Sequence, residues 1–209
     1  MHQDGKVSMP PETFTDYLRA RFKGILEAIA SFLIRLGIAP NTITFTGVLG
    51  NVISALFLAQ GRFLIGGILA LVMGPLDAVD GTMARQRGEP TDFGAFVDSV
   101  SDRYSELFLF GGLLLYYIRT GDEAMAMVVF AAAAGSVLVS YTRARAEALG
   151  FSVKVGLLTR VERFIVLIPS LIFNYARIGL WAVAVLANVT ALQRILRVRK
   201  LSRERKNEV

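Results

Sequence analysis

Apolar runs of helical length recur along this chain, at roughly residues 41–60, 63–83, 93–118, 124–141, 164–175 and 178–196, and no other feature restricts its fold as much. A helix needs about 20 residues to cross ~30 Å of hydrocarbon. Backbone inside lipid must satisfy its own hydrogen bonds, so runs of this length read as helices. With 54% hydrophobic residues among 209, the chain is too apolar for an ordinary soluble domain. The expectation is an all-α, polytopic integral membrane protein with six transmembrane helices, the fifth being the shortest.

Ahead of the first run, Phe14, Leu18, Phe22, Ile25, Leu26, Ile29, Phe32, Leu33 and Leu36 follow a helical spacing broken by Arg19, Arg21, Lys23, Glu27 and Arg35. This pattern predicts an amphipathic juxtamembrane helix lying at an anionic lipid surface. A transmembrane reading would carry those charges into hydrocarbon at a few kcal/mol each. Gly37 and Pro40 mark its end. The chain divides into an N-terminal tail and interfacial helix over 1–39, a six-helix transmembrane domain over 40–199 and a basic tail over 200–209. Residues 1–12 lack the layout of a cleaved signal peptide, so the whole chain is read as mature protein.

Alternating the connections between two sides leaves only Arg62, Arg119 and Arg177 of the 23 Lys and Arg on one face. The positive-inside rule then makes the other face cytoplasmic and puts both termini there, in a multi-pass protein of the cell membrane. The net charge of +6 is a topological signal. It does not read as a nucleic-acid surface, since no soluble domain carries a groove. The cations from Arg194 to Lys206 read as a stop-transfer and lipid-headgroup anchor. Ala131–Ala134 suits close helix packing. The chain has no cysteine, and its only histidine is His2 in the N-terminal tail, so thiolate chemistry is excluded and a general base must be a carboxylate, lysine or tyrosine.

Within the apolar sequence stands Asp77-Ala-Val-Asp80-Gly81-Thr-Met-Ala84-Arg85, then eight residues, then Gly94-Ala-Phe-Val-Asp98-Ser-Val-Ser-Asp102. Asp77 and Asp80 are three apart and Asp98 and Asp102 four apart, so each pair shares a helix face. The short link between them holds Gly88 and Pro90, which makes the two helices antiparallel neighbours. Four anions in a poorly hydrated site repel one another and lose hydration, and divalent cations resolve the conflict. All-oxygen ligation selects hard ions, so the cluster is read as holding two Mg²⁺ or Mn²⁺ ions through Asp77, Asp80, Asp98 and Asp102. Such a pair is suited to phosphoryl-type displacement. Gly81 and Ala84 remove bulk beside Asp80, Gly94 does so on the facing helix, and Arg85 offers a fork of donors that fits a pyrophosphate. A proton or cation path through a transporter and an inert polar network remain open alternatives. A transport path has no need of the small residues and Arg85.

At every fixed position this stretch matches the signature of the CDP-alcohol phosphatidyltransferase family, which it resembles. The resemblance implies that Asp77, Asp80 and Asp98 hold one metal and Asp77, Asp98 and Asp102 the other. It also implies that Asp102 takes the proton from the acceptor hydroxyl, and that Gly81 and Arg85 contact the CDP moiety with Thr91 nearby. The turn Pro40-Asn41-Thr42-Ile43-Thr44 resembles the family's equivalent stretch, which brings Asn41, Thr42 and Thr44 toward the nucleotide. On their own these residues read as helix-start caps. A homodimer is implied by the resemblance alone.

The acceptor is read from the segment holding Arg143, Arg145, Glu147, Gly150, Lys154, Arg160, Glu162 and Arg163. Its five cations suit a phosphorylated acceptor, since a phosphate gains from several donors in a partly desolvated cleft. Positive-inside decoration is the other reading of each cation. The segment resembles the phosphatidylinositol phosphate and archaetidylinositol phosphate synthases, which implies inositol 1-phosphate as acceptor and CDP-diacylglycerol or CDP-archaeol as donor. Thr159 and Val161 depart from the Glu and Pro common there. The chain lacks the Gly-Lys-x-Lys-Thr element of the phosphatidylglycerophosphate synthases. A different acceptor (glycerol 3-phosphate, serine or inositol) is the alternative within the same family.

Overall fold

A computed structural model describes residues 14–88, 91–153 and 155–207, with side chains in the first helix from Arg21 onward. Among the described residues the chain is all-helical: α1 (Phe14–Arg35), α2 (Pro40–Ala59), α3 (Phe63–Met73), α4 (Leu76–Gln86), α5 (Asp92–Arg119), α6 (Glu123–Ala148), α7 (Arg160–Ile172) and α8 (Ala176–Asn207). The turn into α2 follows from Gly37, whose φ of 75° is open to glycine at little cost, and from Pro40 at the helix start, where no N–H is needed.

The run expected as one helix over 63–83 is broken. Pro75 has no N–H to continue the ladder, and the chain turns at Gly74–Pro75 before α4 begins. A Cβ on Gly74 would run into the Phe164 ring, so the break is where α7 meets α3. The break falls just before Asp77.

The core forms where α6 packs on α8, with α5 against α6 and α7 against α8, around Phe110, Leu113, Val129, Ala132, Leu171, Leu180, Val183 and Ala187. Ala132 and Ala187 are fully buried, and a Cβ on Gly135 would lie 3.1 Å from that of Ala187, so small residues let these helices approach closely. A second cluster of Ala30, Ile43, Val79 and Met83 seals α1 onto α4 and the start of α2. The Gln86 amide there donates to the Glu27 carbonyl at 3.1 Å, and Arg87 Nη2 donates to the Ile38 carbonyl at 2.8 Å. α1 thus packs on the protein through one side and leaves Phe22, Ile25, Phe32 and Leu36 exposed.

Among the described residues, four stretches are long and apolar enough to cross a membrane: Pro40–Ala59, Phe63–Gln86 (α3 and α4 together), Glu123–Ala148 and Ala176–Asn207. α5 has the length but carries Asp98, Asp102, Arg103 and Glu106, and α7 has only 13 residues, about 20 Å of helix. The expected boundary between residues 199 and 200 falls inside α8, which continues to Asn207. Arg205 holds that extension: it donates to the Leu149 and Gly150 carbonyls at 3.3 and 3.1 Å and lies 4.0 Å from the Phe151 ring centre, where a cation suits the carbonyl end of α6.

Candidate active site

α4 and α5 bring three of the four aspartates to one point. Carboxylate oxygens of Asp77, Asp98 and Asp102 all lie within 4.8 Å of one another. The two helices touch little elsewhere, and α2 packs against both and sets their separation. Asp80, 4% exposed, is the fourth. Its Oδ2 accepts the Thr44 hydroxyl, which also bonds the Pro40 carbonyl at 3.3 Å. A narrow cleft between α2, α4 and α5 reaches this point, lined by Thr44, Gly47, Asn51, Asp77, Ser101 and Arg160.

The donor set fits a hard divalent cation. Asp80 Oδ1 and Asp98 Oδ1 are buried without a hydrogen-bond partner among the described residues. Buried carboxylate oxygens left so are costly unless a cation uses them. Asp102 Oδ1 likewise accepts no hydrogen bond, but Arg160 Nη2 is in ion-pair contact with it. Converging carboxylate oxygens with spare lone pairs are the ligands Mg²⁺ and Mn²⁺ require.

The expected CDP-lipid residues divide. Gly81 and Arg85 are adjacent: a Cβ on Gly81 would sit 3.5 Å from Arg85 Nη1, and Arg85 Nη2 bonds the Thr82 hydroxyl at 3.0 Å while the side chain stays exposed. Ala84 is half-buried on the same helix. Asn41 and Thr42 are exposed at the start of α2. Two residues have partners the sequence reading had not assigned. Thr44 grips Asp80, and Thr91 caps α5, its hydroxyl accepting the Gly94 N–H at 3.0 Å. The cap is the reason for the short distance between Thr91 and Gly94, which is half-buried.

The four described residues of the five expected acceptor cations do not form one patch. Arg143 pairs with Glu147 at 2.9 Å on the exposed end of α6, where Arg145 is also exposed. Lys154 lies outside the described residues. Arg160 reaches into the carboxylate cluster, donating to Asp77 Oδ2 at 2.6 Å and pairing with Asp102. Arg163 corrects the expectation of an acceptor ligand. It is 2% exposed, and its guanidinium bonds both Glu106 oxygens at 2.7 and 3.0 Å and the Leu158 carbonyl at 3.3 Å. Its donors are spent inside the protein.

Sequence reasoning missed three residues here. Arg103 bonds Asp102 Oδ2 at 3.0 Å and the Ser140 hydroxyl of α6 at 3.1 Å, so it fixes the rotamer of Asp102. Glu106 stands four residues after Asp102, a spacing that marks the same face of α5. Arg194, read as one cation of a tail, is 2% exposed and donates to the Val139 and Val155 carbonyls, holding the loop before α7. No local pattern distinguishes it from its exposed neighbours.

An all-helical, multi-pass chain with acidic residues converging on a divalent-cation site amid arginines defines a membrane metalloenzyme acting on phosphorylated compounds. The sequence profile of the CDP-alcohol phosphatidyltransferases matches residues 37–193. The phosphatidylinositol phosphate synthase of Streptomyces avermitilis is 40% identical over 204 residues, covering 90% of this chain and 83% of that one. The archaetidylinositol phosphate synthase of Pyrococcus horikoshii is 37% identical over 185 residues, covering 88% and 95%. Among solved structures, the phosphatidylinositol phosphate synthase of Mycobacterium tuberculosis with CDP-DAG bound superposes with a TM-score of 0.78 at 31% identity, covering 83% of this chain and 93% of that one. The same enzyme in complex with manganese and citrate gives 0.76 at 31% identity, covering 83% and 88%. The chain belongs to the CDP-alcohol phosphatidyltransferase family, a group of membrane transferases of phospholipid biosynthesis.

Proposed function

We propose that this enzyme transfers a phosphatidyl or archaetidyl group from CDP-diacylglycerol or CDP-archaeol to the hydroxyl of inositol 1-phosphate, releasing CMP. The observation that carries the reading is the meeting of Asp77, Asp98 and Asp102 oxygens within 4.8 Å. It is supported by relatives named as inositol phosphate lipid synthases over most of their length. In this reading the acceptor oxygen attacks the lipid-linked phosphorus of the CDP-lipid. The bond from that phosphorus to the oxygen bridging to CMP breaks, and the hydroxyl proton passes to Asp102. Two divalent cations, Mg²⁺ or Mn²⁺, supply charge stabilisation at the reacting phosphate when bound by Asp77, Asp80, Asp98 and Asp102.

The protein's own groups do the orienting. Arg103 holds Asp102 Oδ2, and Thr44 holds Asp80. Gly81 leaves room for the pyrophosphate against α4 while Arg85 forks onto it. Asn41, Thr42, Ala84 and Gly94 border the nucleotide. Arg143, Arg145, Lys154 and Arg160 supply charge for the acceptor phosphate. The same proposal places six spans in the cell membrane, α1 at its surface, both termini and the cleft on the cytoplasmic side, and two chains in a homodimer. Apolar side chains such as Phe45, Leu56, Phe130 and Ile178 are exposed on the outer surface, as a lipid-facing protein requires.

The test is CMP release from CDP-diacylglycerol and CDP-archaeol with a panel of inositol 1-phosphate, glycerol 3-phosphate, serine and inositol. Release should require inositol 1-phosphate, stop with chelator and return with Mg²⁺ or Mn²⁺. Turnover with another acceptor in its place, or turnover without metal, would overturn the corresponding half of the proposal.

A further inference from the structure

Arg160 is held between the two sides of the carboxylate cluster. From α7 its Nη1 meets Asp77 Oδ2 at 2.6 Å and its Nη2 meets Asp102, two of the three residues whose oxygens converge. The helix that carries it is pinned close by. Arg163, three residues on, is clamped by both oxygens of Glu106 at 2.7 and 3.0 Å, and Glu106 stands four residues after Asp102. Two ion pairs therefore stack as rungs between α5 and α7. The rungs differ in accessibility. Arg163 is 2% exposed, and Arg160 is 36% exposed along the cleft. One rung is closed, while the other borders space into which a side chain can move.

A guanidinium and a hard divalent cation seek the same carboxylate oxygens. With both drawing on Asp77 Oδ2 and Asp102 Oδ1, two positive centres would lie a few ångströms apart in a poorly hydrated site, and each weakens the other's hold. We infer that Arg160 is a tethered competitor for the divalent cation: it neutralises Asp77 and Asp102 until the metal binds, and metal binding releases its guanidinium into the cleft. The release leaves that positive charge without its carboxylate partners in the cleft at the stage when an anionic acceptor is to be held. Cation loading is thereby coupled to acceptor capture. The inference rests on the proposed cation site and is independent of which acceptor is used.

Direct Mn²⁺ binding to the purified full chain in detergent, read as free Mn²⁺ by electron paramagnetic resonance, tests it without turnover. Arg160→Gln should lower the Mn²⁺ Kd by about fivefold or more, since two ion pairs no longer compete. A Kd equal to or weaker than that of the parent overturns the competition. A second measurement needs no variant. Phenylglyoxal labelling of the parent, followed by peptide mass spectrometry, should show Arg160 labelled more with Mn²⁺ than with chelator, while Arg163 stays unlabelled in both. Labelling of Arg160 that Mn²⁺ leaves unchanged or suppresses overturns the release. A parent chain that binds no Mn²⁺ overturns the cation site itself and the inference with it.

Discussion

Replacing Glu106 by alanine should cost this protein more than any single carboxylate of the active site. Arg163 is 2% exposed and both Glu106 oxygens are bonded to it, so Glu106→Ala leaves a desolvated guanidinium with only the Leu158 carbonyl as partner. Removing one member of a buried pair costs about 3–5 kcal/mol, most of it the stranded charge and not the lost attraction. For a chain of this size about 1 kcal/mol shifts the melting temperature by roughly 2–4 °C, so the expected fall is about 6–20 °C. Thermal unfolding of the detergent-solubilised protein, followed by fluorescence-detected size exclusion, reads it. The double variant Glu106→Leu with Arg163→Met removes both charges and fills the space with apolar atoms, and should recover most of the loss. A Glu106→Ala melting temperature within about 2 °C of the parent would refute the reasoning. So would a double variant no more stable than the single one.

Asp102→Asn should abolish CMP release while CDP-lipid binding persists, and full activity in that variant would remove Asp102 from the role of base. Gly81→Val puts bulk where even an added Cβ would lie 3.5 Å from Arg85 Nη1, so the KM for CDP-lipid should rise about tenfold or more with little change in melting temperature. Thr91→Ala should lower the melting temperature by about 2–4 °C through loss of the α5 cap, at about 1 kcal/mol, and leave that KM unchanged. A raised KM instead would return Thr91 to the nucleotide site.

The active-site acids were legible because their spacing is local. Residues three or four apart on a helix share a face whatever surrounds them, and small residues beside an acid announce close approach by a ligand. The basic segment was less legible. Arg143, Arg160, Arg163 and Arg194 look alike in sequence, yet one pairs with Glu147 on the surface, one enters the carboxylate cluster, and two are buried on partners 57 and 55 residues away. Charge is visible in a sequence, whereas the identity of a partner so distant depends on how α5, α7 and α8 pack. Thr44 and Thr91 were ambiguous for a related reason, since a threonine at a helix start serves equally as cap, ligand or support for a neighbour.

The sequence by itself determined that the chain is helical and membrane-embedded, that four aspartates lie on two helix faces, and which family those aspartates belong to. Each follows from hydropathy, periodicity or fixed spacing, properties carried by a few consecutive turns. The tertiary structure decided that the helix is interrupted at Gly74–Pro75, where α7 meets α3, and that α2 sets the separation of α4 from α5. It also decided that Arg160 faces Asp77 and Asp102 while Arg163 is consumed by Glu106. Two arginines three residues apart on one helix met different carboxylates because packing of α7 on α3 and α8 sets where each reaches toward α5, and only long-range packing sets that position.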